Sequence, residues 1–121
     1  MTKKVLTVDD SKTMREMVSF TLSQAGFEVL TAEDGNDALK VMNDHPVDLV
    51  ITDINMPNLD GIGLVKAIRA NAAYRAIPIL MLTTESNAAK KQEGKLAGAT
   101  GWIVKPFEPE KLIQVAQKVC P

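Results

Sequence analysis

Cysteine is nearly absent from this chain. Cys120 is the only one among 121 residues and stands next to last, so no disulfide can close within the chain and a reducing cytoplasm is the expected setting. An excess of basic charge is also missing. Fourteen Lys and Arg against fifteen Asp and Glu leave a formal net charge of −1, which argues against a nucleic-acid surface. No apolar run approaches the roughly 18 residues of a membrane span. Met1-Thr2-Lys3-Lys4 leads directly into a strand-like run rather than a signal h-region. Low-complexity tracts, internal repeats and linkers are absent too. What remains is one domain, residues 1–121, of ordinary apolar content (45%), large enough for a single core and too small for a second.

Five short apolar runs alternate with five helix-like stretches. The runs are Val5–Val8, Glu28–Thr31, Leu49–Thr52, Ile79–Leu82 and Trp102–Val104. Their few polar interruptions are the mark of strands buried on both faces, as in parallel sheets. Met14, Met17, Val18 and Leu22 recur at helical spacing after the first run, and Gly26 follows as the helix-ending residue. Asp34 is placed to cap a second helix carrying Ala38, Leu39 and Met42. Leu64, Val65 and Ile68 mark a third, after the turn Pro57-Asn58-Leu59-Asp60-Gly61. Glu108-Pro109-Glu110 opens the last, whose apolar stripe is Leu112, Val115, Ala116 and Val119. The fourth helix, about Asn87–Ala97, has little apolar anchoring, and Gly94 costs it about 1 kcal/mol against alanine. It is expected to dock weakly and to be the most mobile. Strict alternation with short links predicts a doubly wound (βα)5 α/β sandwich around a parallel five-stranded sheet.

The chemistry is concentrated where strands end. Val5–Val8 terminates in the acid pair Asp9-Asp10, and Leu49–Thr52 terminates in Asp53. Folding does not require paired acids at a buried strand end, where desolvation and repulsion both oppose ionisation. If the two runs are neighbouring parallel strands, three carboxylates converge. Such a cluster is tolerable mainly beside a hard divalent cation, magnesium or calcium. The crevice of an open α/β sheet lies beyond its C-terminal strand ends, and Thr83 and Lys105 also fall there. Taken singly, these residues are a helix cap, a turn acid, a strand end and a solvated lysine. Together they form a phosphoryl-transfer constellation. Asp53 is the nucleophile that forms an acyl phosphate, Asp9 and Asp10 hold Mg²⁺, and Lys105 and Thr83 meet the phosphoryl oxygens.

Val8-Asp9-Asp10, Asp53-Ile54-Asn55-Met56-Pro57, Gly61, Leu82-Thr83-Thr84-Glu85 and Val104-Lys105-Pro106-Phe107 occur in this order over essentially the whole chain. In these pieces the chain resembles response-regulator receiver domains, in particular the stand-alone chemotaxis regulators of the CheY type. The resemblance implies the flavodoxin-like strand order 2-1-3-4-5 and a cis Lys105–Pro106 bond. It makes Asp53 the phosphoacceptor, Asp10 a direct Mg²⁺ ligand, Asp9 a ligand largely through metal-bound water, and the backbone carbonyl of Asn55 a further ligand. It implies a switch in which Thr83 moves toward the phosphoryl group and Trp102, where the family mostly has Tyr or Phe, turns into the vacated space. Asn55 and Glu85 become the pair that tunes dephosphorylation. Ser11 departs from the bulky residue frequent in the family after the acid pair, whereas Met14 and Arg15 match.

The implied function is a monomeric phosphoacceptor that promotes its own phosphorylation and dephosphorylation without being an enzyme in its own right. Its phosphoryl donor is a sensor histidine kinase of the chemotaxis type, and it signals by protein contact. The expected target is a flagellar motor switch protein; a phosphorelay intermediate or a phosphate sink is the alternative. No DNA-binding output domain is expected after the fifth helix, nor any nucleic-acid partner or membrane insertion. An FMN-binding flavodoxin shares the architecture, but Asp9-Asp10 would repel its phosphate. A haloacid-dehalogenase-type phosphatase carries an acid where this chain has Asn55. The complete acid, Thr and Lys set argues against a purely docking pseudo-receiver. His45, Cys120 and the pair Lys90-Lys91 are read as a turn residue, a bystander and solvated helix surface.

Overall fold

The computed structural model of the protein describes residues 2–83 and 88–120. Five strands, β1 (Lys4–Val8), β2 (Glu28–Ala32), β3 (Leu49–Asp53), β4 (Ile79–Thr83) and β5 (Gly101–Val104), form one parallel sheet in the order β2-β1-β3-β4-β5. Each observed strand contains its apolar run and extends it by one residue. Helices α1 (Lys12–Gln24), α2 (Gly35–Asp44), α3 (Gly61–Ala70), α4 (Ala88–Ala97) and α5 (Pro109–Val119) cover both faces. A short 3-10 turn, Ala72–Tyr74, precedes β4. No described helix is long and apolar enough to cross a membrane.

Because strand side chains alternate between faces, the sheet carries two cores. Leu6, Val8, Val50, Ile79 and Met81 meet Ala38, Met42, Leu64, Val65 and Ile68 of α2 and α3. Val5, Leu49, Ile51, Leu80, Leu82 and Ile103 meet Val18 and Leu22 of α1 and Leu112 and Ala116 of α5. At about 1.5–3 kcal/mol for each fully buried large apolar side chain, these layers hold the sheet ends in register. The pairs Val8↔Thr52 and Asp53↔Leu82 bring the C-terminal ends of β1, β3 and β4 to one rim.

Helix boundaries follow from local chemistry. Asp34 accepts the Asp37 N–H at 2.8 Å and caps α2. Asp60 does the same for α3 through Gly63, and Glu108 followed by Pro109 starts α5. Gly26, at φ +93°, follows the end of α1 in the left-handed conformation that a helix-terminating glycine adopts. Two expectations of burial fail among the described residues: β2 and β5, at the edges of the sheet, are only partly buried rather than covered on both faces, and one helix position leaves the core. Met17 is half exposed, and Thr21 takes the buried place beside Val18 and Leu22. The buried stripe of α1 thus runs one position round from the purely apolar one. The threonine hydroxyl is accommodated there because it donates to the Met17 carbonyl at 2.8 Å.

The fourth helix is sparsely anchored as its composition requires, with Gly94 its one buried residue and Leu96 78% exposed; the expected start at Asn87 lies outside the described residues. Gly94 is more than a weak point in this helix. A Cβ there would lie 2.8 Å from the Met81 sulfur and 2.9 Å from the Trp102 ring. The indole therefore seats against bare helix backbone.

Candidate functional site

The sheet order reverses between β1 and its two neighbours, β2 and β3, and at such a switch point the C-terminal strand ends open a crevice. Asp9 and Asp10 leave β1 there and Asp53 ends β3. Oxygen atoms of the three carboxylates all lie within 4.8 Å of one another. Thr83 ends β4 as a buried residue, and its carbonyl accepts the Lys105 N–H at 2.7 Å. The Lys105–Pro106 bond is cis, as the resemblance implies. The Lys105 ammonium stands 3.0 Å from Asp53 Oδ1 and 3.7 Å from Asp9 Oδ2. Four of the side chains expected at one rim, Asp9, Asp10, Asp53 and Lys105, are therefore found together, and Thr83 stands at the end of the strand next to β3.

Backbone donors fix the carboxylates. Asp53 Oδ1 accepts the Ile54 N–H at 2.8 Å, and Asp9 Oδ1 accepts the Ser11 N–H at 2.9 Å. The Asp9 backbone is held in turn by Arg15, whose guanidinium donates to its carbonyl at 2.7 Å. Ser11 supplies the N-cap of α1 through its side chain and frees both preceding acids from capping. Arg15 stands out in the sequence only as a position matching the family; its hold on Asp9 depends on a helical turn that places residue 15 beside the strand end.

Asp9 carries the clearest electrostatic signature. Burial holds its carboxyl above the usual carboxylate range, and the Asp53 and Asp10 charges push the same way against the Ser11 bond and Lys105. Its Oδ2 atom is buried with no hydrogen-bond partner. The 3.7 Å approach of Lys105 compensates it only in part. A raised carboxylate pKa makes Asp9's contribution to folding largest below the ordinary pKa and loses it as pH rises through the higher folded value. At neutral pH the fold thus buries a charge that would be better solvated in the unfolded chain.

These features fit a hard cation. An orphaned carboxylate oxygen, two further carboxylates and an all-oxygen donor set are what Mg²⁺ takes. Asn55, two residues past Asp53, is exposed beside the same rim. A divalent cation that binds the folded rim and not the unfolded chain stabilises the fold by about 2.7 kcal/mol at a hundredfold excess over Kd, and Mg²⁺ is expected to do so. A thermal melt with and without millimolar Mg²⁺ checks this; an unchanged Tm would mean that the carboxylates do not act as a cation site.

Trp102 lies half-buried on the edge strand β5 against Gly94 of α4, outside the acid cluster. Glu85, together with Thr84 of the same motif, lies outside the described residues. His45 ends α2 as its C-cap, and Cys120 is buried with its Sγ 3.7 Å from the Asp48 carbonyl.

The response regulator receiver domain family matches residues 5–117. Chemotaxis protein CheY1 of Helicobacter pylori is 43% identical over 111 residues, which cover 90% of each chain. Protein PilG of Pseudomonas aeruginosa is 38% identical over 111 residues, 91% of this chain and 82% of that one. The solved structure of the chemotaxis response regulator CheY4 of Vibrio cholerae superposes with a TM-score of 0.92 at 53% identity, covering 98% of this chain and 99% of that one.

Proposed function

This chain belongs to the response regulator receiver family, and from that premise we propose that Asp53 accepts a phosphoryl group from the phosphohistidine of a sensor histidine kinase. The observation that carries the reading is Lys105 set between Asp53 and Asp9 at 3.0 and 3.7 Å, at a rim where three carboxylates meet. An Asp53 carboxylate oxygen attacks phosphorus, the N–P bond of the donor breaks, and the electron pair leaves with the imidazole nitrogen. The product is an aspartyl phosphate. Asp9, Asp10, Asp53 and the Asn55 carbonyl would hold Mg²⁺, which when bound would neutralise charge on the phosphoryl oxygens. Lys105 gives up its contact with the free carboxylate and follows the charge to the new oxygens. The Thr83 hydroxyl, at the end of β4, donates to another. Attack of water on the same phosphorus, tuned by Asn55 and Glu85, restores the carboxylate and releases phosphate.

The phosphoryl group brings roughly −1.5 to −2 charge to a rim already crowded with acids. Relief comes through Lys105 and Thr83, and both sit at ends of the strands that carry Trp102 and support α4. Movement there alters the face of α4, β5 and α5, which meets the target protein. The names of two relatives point to chemotaxis, so a flagellar motor switch protein is the target of choice. The test is uptake of one phosphoryl group from a small acyl-phosphate donor, followed by intact mass. Uptake with Mg²⁺ and none after chelation is the expected pair of results. Equal uptake in both would overturn the metal-assisted mechanism.

A further inference from the structure

The loop between β3 and α3 carries Asn55, yet its fixed shape comes from outside the cluster. At its base the Gly61 N–H donates to the Ile54 carbonyl at 2.8 Å. At its tip two bonds tie it to the start of α2. The Gly35 N–H donates to the Leu59 carbonyl at 3.0 Å, and Asn58 Nδ2 donates to Asp34 Oδ2 at 2.7 Å. Asn58 is held at φ +68°, a left-handed conformation that asparagine tolerates better than most residues. The two oxygens of Asp34 serve different partners, since Oδ1 caps α2 through Asp37 and Oδ2 grips Asn58. These bonds hold Asp34's carboxyl below the usual carboxylate range, so it stays ionised and accepting over the physiological range.

We propose that Asn58 and Asp34 are positioning residues for the cation site: their bond clamps the 54–60 loop and sets the Asn55 carbonyl at the rim before the metal arrives. The proposal rests on the reading of Asp9, Asp10, Asp53 and Asn55 as the Mg²⁺ site. A loop tied at base and tip presents its carbonyl already aimed, whereas one released at the tip must be ordered by the ion itself, at the expense of affinity. Neither residue touches the reacting atoms, and both are therefore separable from the chemistry.

The test uses Asn58→Gly, which keeps left-handed freedom and removes the side-chain donor, and Asp34→Ser, which keeps an N-cap acceptor on α2 but is too short for Asn58. Mg²⁺ affinity is read by calorimetry at a temperature where each variant is fully folded. Outer-shell partners of metal ligands typically contribute tenfold or more, and about a tenfold rise in Kd is expected for each variant. Phosphoryl uptake should return to the parental rate at saturating Mg²⁺, a recovery that general damage to the fold would not permit. If both variants bind Mg²⁺ within a factor of two of the parent, the clamp does not position the site. Failure of the parent itself to bind, or binding undiminished by Asp10→Asn, would instead overturn the underlying metal site and leave the clamp no role.

Discussion

Asp53→Asn is expected to take up no phosphoryl group under conditions that fully label the parent, while remaining folded. The amide has the shape of the carboxyl and its oxygen can still accept the Ile54 N–H, which Asp53 Oδ1 accepts at 2.8 Å. What disappears is the nucleophilic oxygen and one of the three anionic ligands. The Lys105 ammonium, 3.0 Å from Asp53 and 3.7 Å from Asp9, then has only the Asp9 carboxylate as an anionic partner among these contacts. Mg²⁺ affinity should fall as well, because the donor set loses a charge. Intact mass after exposure to the acyl-phosphate donor checks the first effect. A variant that labels like the parent would show that the phosphoryl group goes elsewhere.

The second large effect belongs to Gly61→Ala. A Cβ at Gly61 would collide with the Asp53 carbonyl oxygen and stand 2.9 Å from the Ile54 Cα. Both neighbours are backbone, so no rotamer can relieve the overlap. The first turn of α3 must lift away from the end of β3, breaking the 2.8 Å bond from the Gly61 N–H to Ile54. Forced overpacking costs about 1–3 kcal/mol or more, and the top of that range corresponds to a drop in Tm of about 10 °C for a chain of this size. Gly63→Ala is the matched control. There the contact at 2.6 Å is the far end of the Leu59 side chain, which can turn aside, and the added helix propensity of about 1 kcal/mol opposes the strain. Thermal melts of the pair should separate by several degrees. Equal melting temperatures would mean that α3 does not rest on the end of β3.

Much of this molecule was legible in its sequence. The central strands β1, β3 and β4 declared themselves because runs buried on both faces cannot contain many polar residues, whereas β2 and β5, at the sheet edges, are only partly buried. The acids after β1 and β3 stood out because folding gives no reason to place them there. The strand order and the cis bond before Pro106 came instead from the family resemblance, since alternation alone leaves several orders open.

What escaped was mostly non-local or masked by chemistry of mixed character. The Asn58–Asp34 bond joins residues 24 apart, and no local pattern marks it. Arg69 on α3 likewise bonds the carbonyls of Arg75, Ile77 and Gly98, tying the approach to β4 and the end of α4 together. Thr21 was missed as a core residue because its hydroxyl counts as polar until its own helix accepts it. Gly94 reads as a defect in a helix until the Trp102 ring is seen against it.

The most direct measurement is chemical mapping of the phosphorylated residue. Protein labelled in the presence of Mg²⁺ is treated with borohydride, which reduces an aspartyl phosphate to homoserine, and is then sequenced by mass spectrometry. Homoserine at position 53 and nowhere else is the predicted result. Phosphate that survives reduction on His45 or on a hydroxyl side chain, or homoserine at Asp9 or Asp10, would contradict the assignment of the rim.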